Sequence, residues 1–222
     1  MPDAKPAGKS GPPAVGISGS PWPSGKSGWV LLVALLIGLC LLYPGPIFKG
    51  QVFLSGDSAN AEAFAVVGDA ALQDGTYPLW NPFLFCGMPT FGSLSYTRFL
   101  YPPRVVLEFL QQKLGFPPLT WMLVHLLFGG LGMGYLLSRW RLPVAAIVLG
   151  SLAWLLFPKV VAWGVHGHGS KLGAAMYLPW IVAWGLNILS GRGLLAVGLC
   201  ALLLGLQILR GHIQITYYTL LV

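Results

Sequence analysis

The stretch that decides the fold is residues 29–48, WVLLVALLIGLCLLYPGPIF, which runs for twenty residues without a charge. A helix needs about twenty apolar residues to cross the hydrocarbon core of a bilayer. The stretch closes with Tyr-Pro-Gly-Pro, whereas a signal peptide closes with small residues at its cleavage site. We therefore expect a retained first transmembrane helix at 29–48.

The composition of the whole chain is that of a membrane protein. Of its 222 residues, 55% are hydrophobic and only 9% are charged, whereas about 25% are charged in soluble domains. The net charge is +7, but the basic residues stand singly between apolar segments, so we expect flanking charges of membrane helices and no nucleic-acid partner. Three cysteines give no disulfide framework.

Further apolar segments fill the second half of the chain. They predict spans at 118–137, at 143–157 with an extension to 165, at 172–189 with a break near Pro179, and at 193–209. A sixth span starts after Arg210-Gly-His212 and is incomplete at residue 222, which indicates the N-terminal piece of a longer protein. The Gly130-x-x-x-Gly134 spacing predicts a helix packing surface. The expected fold class is all-α, a polytopic transmembrane helix bundle over 118–222 and the first helix.

Two segments are not expected to cross the membrane. Residues 1–28 are rich in Pro, Gly, Ser and Lys, which predicts a disordered cytoplasmic tail. Residues 49–117 form a long loop with five of the six carboxylates, which we expect to be extracytoplasmic and to contain interfacial helices. The positive-inside rule favours this orientation by a narrow margin: Lys26, Arg139, Arg141 and Arg192 would lie inside, and Lys159, Lys171 and Arg210 outside.

Alternation of the spans brings three polar segments to one membrane face. An odd number of crossings separates the tail from the loop with Asp57, from the 159–171 connection and from the 210–212 turn. This grouping holds whichever face is cytoplasmic. The candidate functional residues are therefore expected at one end of the bundle.

Asp57 is the first candidate, because it follows the first span closely. A carboxylate there could deprotonate an acceptor hydroxyl or hold a divalent cation against a lipid-linked phosphate. The alternative is an N-cap for a helix over 59–72. Both roles remain open, and one residue can fill both.

Two short basic patterns are the other candidates. His166-Gly-His168-Gly-Ser-Lys171 suits a phosphate or pyrophosphate group, or less readily a metal, although loop histidines are often plain polar residues. Arg210-Gly-His212-Ile-Gln214 places ionisable residues at the end of a crossing, where they face a cavity or anchor to headgroups. Arg98 could bind a phosphate or extend to headgroups. His125, within the second span, is expected to form a helix-to-helix hydrogen bond rather than to be a ligand.

Several of these motifs together resemble the YfhO family of bacterial membrane proteins. They are Gly56-Asp57, the run PLWNPFLFCGMP at 78–89, Gly-His168-Gly-Ser-Lys171 and the segment 211–218, GHIQITYY. That family is similar to GT-C glycosyltransferases, which take a sugar from a polyprenyl-phosphate carrier at the outer face. The resemblance implies Asp57 as the catalytic carboxylate and the aromatic loop with Trp80 and Asn81 as the boundary of a sugar site.

The leading functional hypothesis is therefore an integral, multi-pass cell-membrane glycosyltransferase with a GT-C-like fold. Its partners would be the bilayer, a polyprenyl-phosphate-linked sugar and a cell-envelope polymer acceptor, and a divalent cation is the one cofactor considered. The lipid phosphate would be bound by His168, Lys171, Arg210, His212, Gln214 and Arg98. The alternatives are a transporter or flippase for a lipid-linked or anionic substrate, and a non-catalytic membrane assembly subunit.

Overall fold

The computed structural model describes residues 25–76, 79–83, 85–90 and 101–222, and it omits the side chains of residues 58–65 and 72 within the first long loop helix. Most of the tail predicted at 1–28 therefore lies outside the described residues. So does Arg98. The predictions for both stay as they are.

The described residues are mostly helical. The helices are α1 (Lys26–Leu42), α2 (Pro44–Phe48), α3 (Gly56–Gln73), α4 (Pro102–Leu114), α5 (Thr120–Ser138), α6 (Val144–Leu155), α7 (Pro158–Val165), α8 (Gly169–Ala175), α9 (Leu178–Leu189), α10 (Gly193–Leu209) and α11 (Ile213–Leu220). Two short strands, β1 (Trp80–Asn81) and β2 (Met88–Pro89), pair antiparallel, with Trp80 opposite Pro89. The helical class is confirmed, with this hairpin added to it.

Three segments of the described chain are long and apolar enough to cross a membrane. They are Thr120–Ser138, Val144–Val165 and Gly169–Leu189, and they support association with a bilayer. Helices α1 and α10 are apolar but shorter, with 17 residues each. The arrangement of six crossings and the orientation of the protein remain predictions.

The first predicted span is interrupted. Helix α1 ends at Leu42, and Tyr43, with φ of −122° and ψ of 49°, leaves helical geometry before α2 begins at Pro44. A proline has no N–H to donate and disfavours helical geometry in the residue before it. The segment predicted as the first transmembrane helix, 29–48, is therefore divided between α1 and α2, and the same steric rule explains the break between α6 and α7 at Pro158.

Helix α5 lies at the centre of the bundle, against α1, α6, α8 and α9. The predicted glycine surface packs on α1: a Cβ added to Gly134 would lie 2.4 Å from Leu31, and one added to Gly130 would lie 2.9 Å from Leu35. This confirms the packing role of the spacing. It also shows that α1 and α5 run in opposite directions, since the earlier residue of α1 meets the later residue of α5.

The predicted loop over 49–117 contains ordered elements. Helix α3 is close to the helix expected at 59–72 but begins at Gly56, so Asp57 lies in its first turn. Helix α4 exposes Val105, Val106 and Phe109, as an interfacial helix would. The loop therefore places Asp57 in the first turn of α3, and its last helix, α4, precedes the central helix α5.

Candidate functional site

Two turns of matching construction form the base of the candidate site. His166 is the C-cap residue that follows α7, and Arg210 is the C-cap residue that follows α10; in each case a glycine with φ of +81° and then a histidine come next. Gly167 and Gly211 hold the left-handed conformation that ends helices and that residues with a Cβ adopt at a cost. His168 and His212 are then the N-cap residues immediately before the next helices, α8 and α11.

The first turn meets the long loop through an acid and an imidazole. Asp57 Oδ2 lies 3.4 Å from His168 Nδ1, and the side chains are 59% and 34% exposed. The same Nδ1 lies 3.2 Å from the carbonyl oxygen of His166. Since both neighbours accept hydrogen bonds, Nδ1 carries the proton, and Nε2 faces away from this pair. The carboxylate remains open to solvent.

Arg210 is enclosed between the two turns. Its Nη2 donates to the carbonyl oxygen of Gly169 at 2.9 Å, and its guanidinium lies 5.5 Å from the ring centre of Tyr101 and 5.9 Å from that of Trp121. Its Nε is buried without a hydrogen-bond partner in the part of the chain that the structure describes. Burial lowers the pKa of Arg210 to about 10, so the group stays protonated at neutral pH. Such a cation attracts an anion.

Two glycines of helix α8 leave room for the buried side chain of Arg210. A Cβ on Gly173 would lie 2.4 Å from the Nε of Arg210, and a Cβ on Gly169 would lie 2.6 Å from the ring of Trp121. Any larger residue at either position would require the guanidinium or the indole to move. The two glycines of α8 therefore leave the space that Arg210 and Trp121 occupy.

A chain of hydrogen bonds involves Tyr101 and Trp121, the two aromatic residues whose rings lie next to Arg210. His125 Nδ1 lies 2.5 Å from the carbonyl oxygen of Trp121, so this nitrogen donates and Nε2 accepts. Tyr101 is 2.8 Å from that Nε2 and donates to it, and Tyr177 at 2.5 Å then donates to Tyr101. Burial raises the pKa of Tyr101, so its hydroxyl stays protonated. His125 thus bonds to another element of the chain, as expected, although its partner Tyr101 lies just before α4 and not within a helix.

His212 and Lys171 lie near each other at the same end of the bundle. His212 is buried and is the N-cap of α11, where its Nδ1 accepts from the N–H of Ile215 at 3.4 Å. Burial lowers its pKa, and so do the nearby positive charge of Lys171 and, to a smaller extent, those of His168 and Arg210. The structure thus brings together Asp57 and four of the predicted basic residues.

The remaining predicted residues are placed differently. Gln214 is exposed and donates to the hydroxyl of Tyr218 on its own helix at 3.0 Å. Asn81 is buried in the hairpin, where its Oδ1 accepts from the N–H of Phe83 at 2.9 Å, and Trp80 covers Gly87 closely. A sugar-binding role for Trp80 and Asn81 stays a prediction.

Comparison with family models, with curated proteins and with solved structures finds no match. The resemblance to the YfhO family therefore stays an expectation. Within the described ranges, no group of three or more His, Cys, Asp or Glu side chains could hold a metal ion. The arrangement itself is an exposed carboxylate paired with His168 and a buried cation bonded to the carbonyl oxygen of Gly169, the next residue in the chain.

Tyr101 and Tyr177 were missed by sequence reasoning. Each stands beside a proline-containing helix start and looks like an interfacial aromatic residue. A signal did exist, since a histidine inside an apolar helix needs a polar partner from another element. The sequence alone does not say which tyrosine provides it.

Proposed function

We propose that this protein is an integral membrane glycosyltransferase of GT-C type, which moves a sugar from a polyprenyl-phosphate carrier to a cell-envelope acceptor. The single observation that carries the proposal is the approach of Asp57 to His168 at 3.4 Å, at the bundle end that also holds Arg210. An acceptor hydroxyl needs a base, and a departing phosphate needs a cation. Both are present there.

In the proposed reaction the acceptor hydroxyl oxygen attacks the anomeric carbon of the sugar. The bond between that carbon and the phosphate oxygen breaks, the lipid phosphate leaves with the electron pair, and the hydroxyl proton passes to Asp57. His168 holds the carboxylate by its Nδ1 proton. Arg210 and Lys171 lower the energy of the charge that develops on the leaving phosphate.

The exposure of Asp57 supports this assignment over a purely structural role. A carboxylate in the first turn stabilises a helix through the helix dipole, and Asp57 has that position in α3. However, its side chain remains 59% exposed and points to an imidazole of another element. A cap alone does not need that partner.

The test is sugar transfer by the full-length protein in liposomes that contain a labelled polyprenyl-phosphate sugar and the polymer acceptor. Asp57→Asn should lower the rate about a hundredfold or more, the usual effect of losing a general base. Asp74→Asn is the matched control, because Asp74 follows the other end of the same helix and is exposed. Unchanged transfer by Asp57→Asn would remove Asp57 from the mechanism.

A second candidate function is transport of a lipid-linked anionic substrate. The observation that favours it is the buried chain from Tyr177 through Tyr101 to His125 beside Arg210, because such chains occur where ions or protons move within helix bundles. The same liposomes distinguish the two functions. Movement of the labelled lipid between leaflets without sugar transfer, unaffected by Asp57→Asn, would favour transport.

A further inference from the structure

A second buried arginine lies at the other end of helix α5. Arg139 follows the last residue of α5 and is only 7% exposed. Its Nη1 donates to Oδ1 of Asn187, and the amide of Asn187, itself fully buried, donates to the hydroxyl of Tyr135 at 2.9 Å. The arginine is thus held in one orientation by α9 and by its own helix.

The opposite edge of this guanidinium has no partner. Nε and Nη2 of Arg139 are buried and make no hydrogen bond within the described residues. A buried donor without an acceptor destabilises the folded state, and a charged one does so more strongly. Nε–H and Nη2–H point in parallel along one edge, which is the edge that binds two oxygens of a phosphate or carboxylate side by side.

The surrounding end of the bundle carries positive charge. Helix α1 starts there at Lys26, since its first turns meet the end of α5, and the adjoining turns contain Arg141 and Arg192. The segments that meet at this end, residues 25–31, 135–147 and 186–195, contain no Asp or Glu. No carboxylate of these segments can therefore neutralise Arg139.

This end is separate from the site described above. Trp121 and His125, which line the Arg210 site, belong to the first turns of α5, whereas Arg139 follows its last turn. A helix of 19 residues is about 28 Å long. That length is close to the thickness of the hydrocarbon core, so the two arginines would face opposite leaflets.

We propose that Arg139 binds the phosphate of an anionic phospholipid headgroup at this end of the bundle. The free edge of the guanidinium supplies two donors, Asn187 fixes its direction, and the surrounding basic residues attract anionic lipids. The next residue, Trp140, is 49% exposed, and tryptophan favours the headgroup region. Trp140 therefore supports a position of this turn at the level of the headgroups.

The experiment measures the thermal unfolding midpoint of the full-length protein in neutral detergent while phosphatidylglycerol, phosphatidylcholine or inorganic phosphate is added. Phosphatidylglycerol should raise the midpoint of the wild type, as any ligand of the folded state does. Arg139→Gln should weaken that response at least tenfold in lipid concentration. Arg141→Gln, a change of the same charge in the same turn, should keep most of it.

A second variant keeps the test decisive if Arg139→Gln does not fold. Asn187→Asp places a carboxylate against Arg139 and neutralises it internally, so this variant should fold and should lose most of its response to phosphatidylglycerol. An undiminished response in Arg139→Gln or in Asn187→Asp would overturn the proposal. An equal shift with inorganic phosphate or with phosphatidylcholine would overturn the assignment to an anionic lipid.

Discussion

The carboxylate of Asp57 lies 3.4 Å from Nδ1 of His168, and this contact joins the loop after the first helix to the turn between α7 and α8. Both side chains are at least one-third exposed. Water screens such a pair, so that it contributes at most about 1 kcal/mol to stability. The contact is therefore better suited to positioning a reactive group than to holding the fold.

The first prediction separates these two roles of Asp57. Asp57→Asn should leave the thermal unfolding midpoint in detergent within about 4 °C of the wild type, because an exposed pair contributes little. Circular dichroism against temperature measures this. A large fall in the midpoint would show that the residue stabilises the fold, and loss of activity in this variant would then say nothing of catalysis.

The second prediction concerns Arg210. Arg210→Gln removes the donor to Gly169 and the charge between Tyr101 and Trp121, and should lower the free energy of unfolding by about 1–3 kcal/mol. Lys113→Gln, at the exposed end of α4, is the control and should change stability by less than about 0.5 kcal/mol. Equal effects would mean that the enclosure of Arg210 contributes nothing.

The third prediction compares two tyrosines of one chain. Tyr101→Phe leaves both His125 and Tyr177 without their partner, whereas Tyr177→Phe removes only the terminal donor. Because unpaired buried groups cost about 1–3 kcal/mol each, Tyr101→Phe should destabilise the protein more than Tyr177→Phe. Denaturant unfolding of both variants measures the order, and the reverse order would contradict the central position of Tyr101 in this chain of hydrogen bonds.

The fourth prediction is a pH dependence that comes from His212. Its pKa in the folded protein lies below the value of about 6.5 expected in the unfolded chain. The unfolded state therefore binds more protons in the interval between the two values. Stability should rise with pH through this interval and be lost as the pH falls through it.

His212→Asn tests this assignment. Asparagine also begins helices well, so the variant should keep α11 while the part of the pH dependence due to His212 disappears. Unfolding midpoints measured between pH 4 and pH 8 for both proteins give the comparison. Identical pH profiles would show that His212 does not contribute.

Local sequence rules predicted much of the helical framework. The fifth predicted span, 193–209, matches α10, because a charge-free run between Arg192 and Arg210 leaves little freedom in where the helix begins and ends. The breaks near Pro158 and Pro179 follow from the missing amide proton of proline. The break at Pro44 follows from the same rule. It was not predicted, because the twenty-residue apolar run was given more weight than the proline.

Partners within the site were harder to predict than its location. Alternation of spans indicated that Asp57, His168 and Arg210 share one end, but it gives no distances. The pairing of Asp57 with His168, and of Arg210 with the Gly169 carbonyl, depends on how α8 packs against α5 and α11. Those contacts join residues far apart in sequence, which periodicity and spacing do not report.

The turns at Gly167 and Gly211 are synthesised after Asp57, and this order affects when the site can assemble. Polypeptides emerge from the ribosome N-terminus first, so Asp57 is made well before His168, and Arg210 and His212 later still. The carboxylate has no imidazole beside it until α8 is inserted, and the enclosed cation arrives only with the end of α10. Ribosome-bound chains stopped before residue 168 would display the acid without a counterpart, and the assembled site would be among the last features of this region to form.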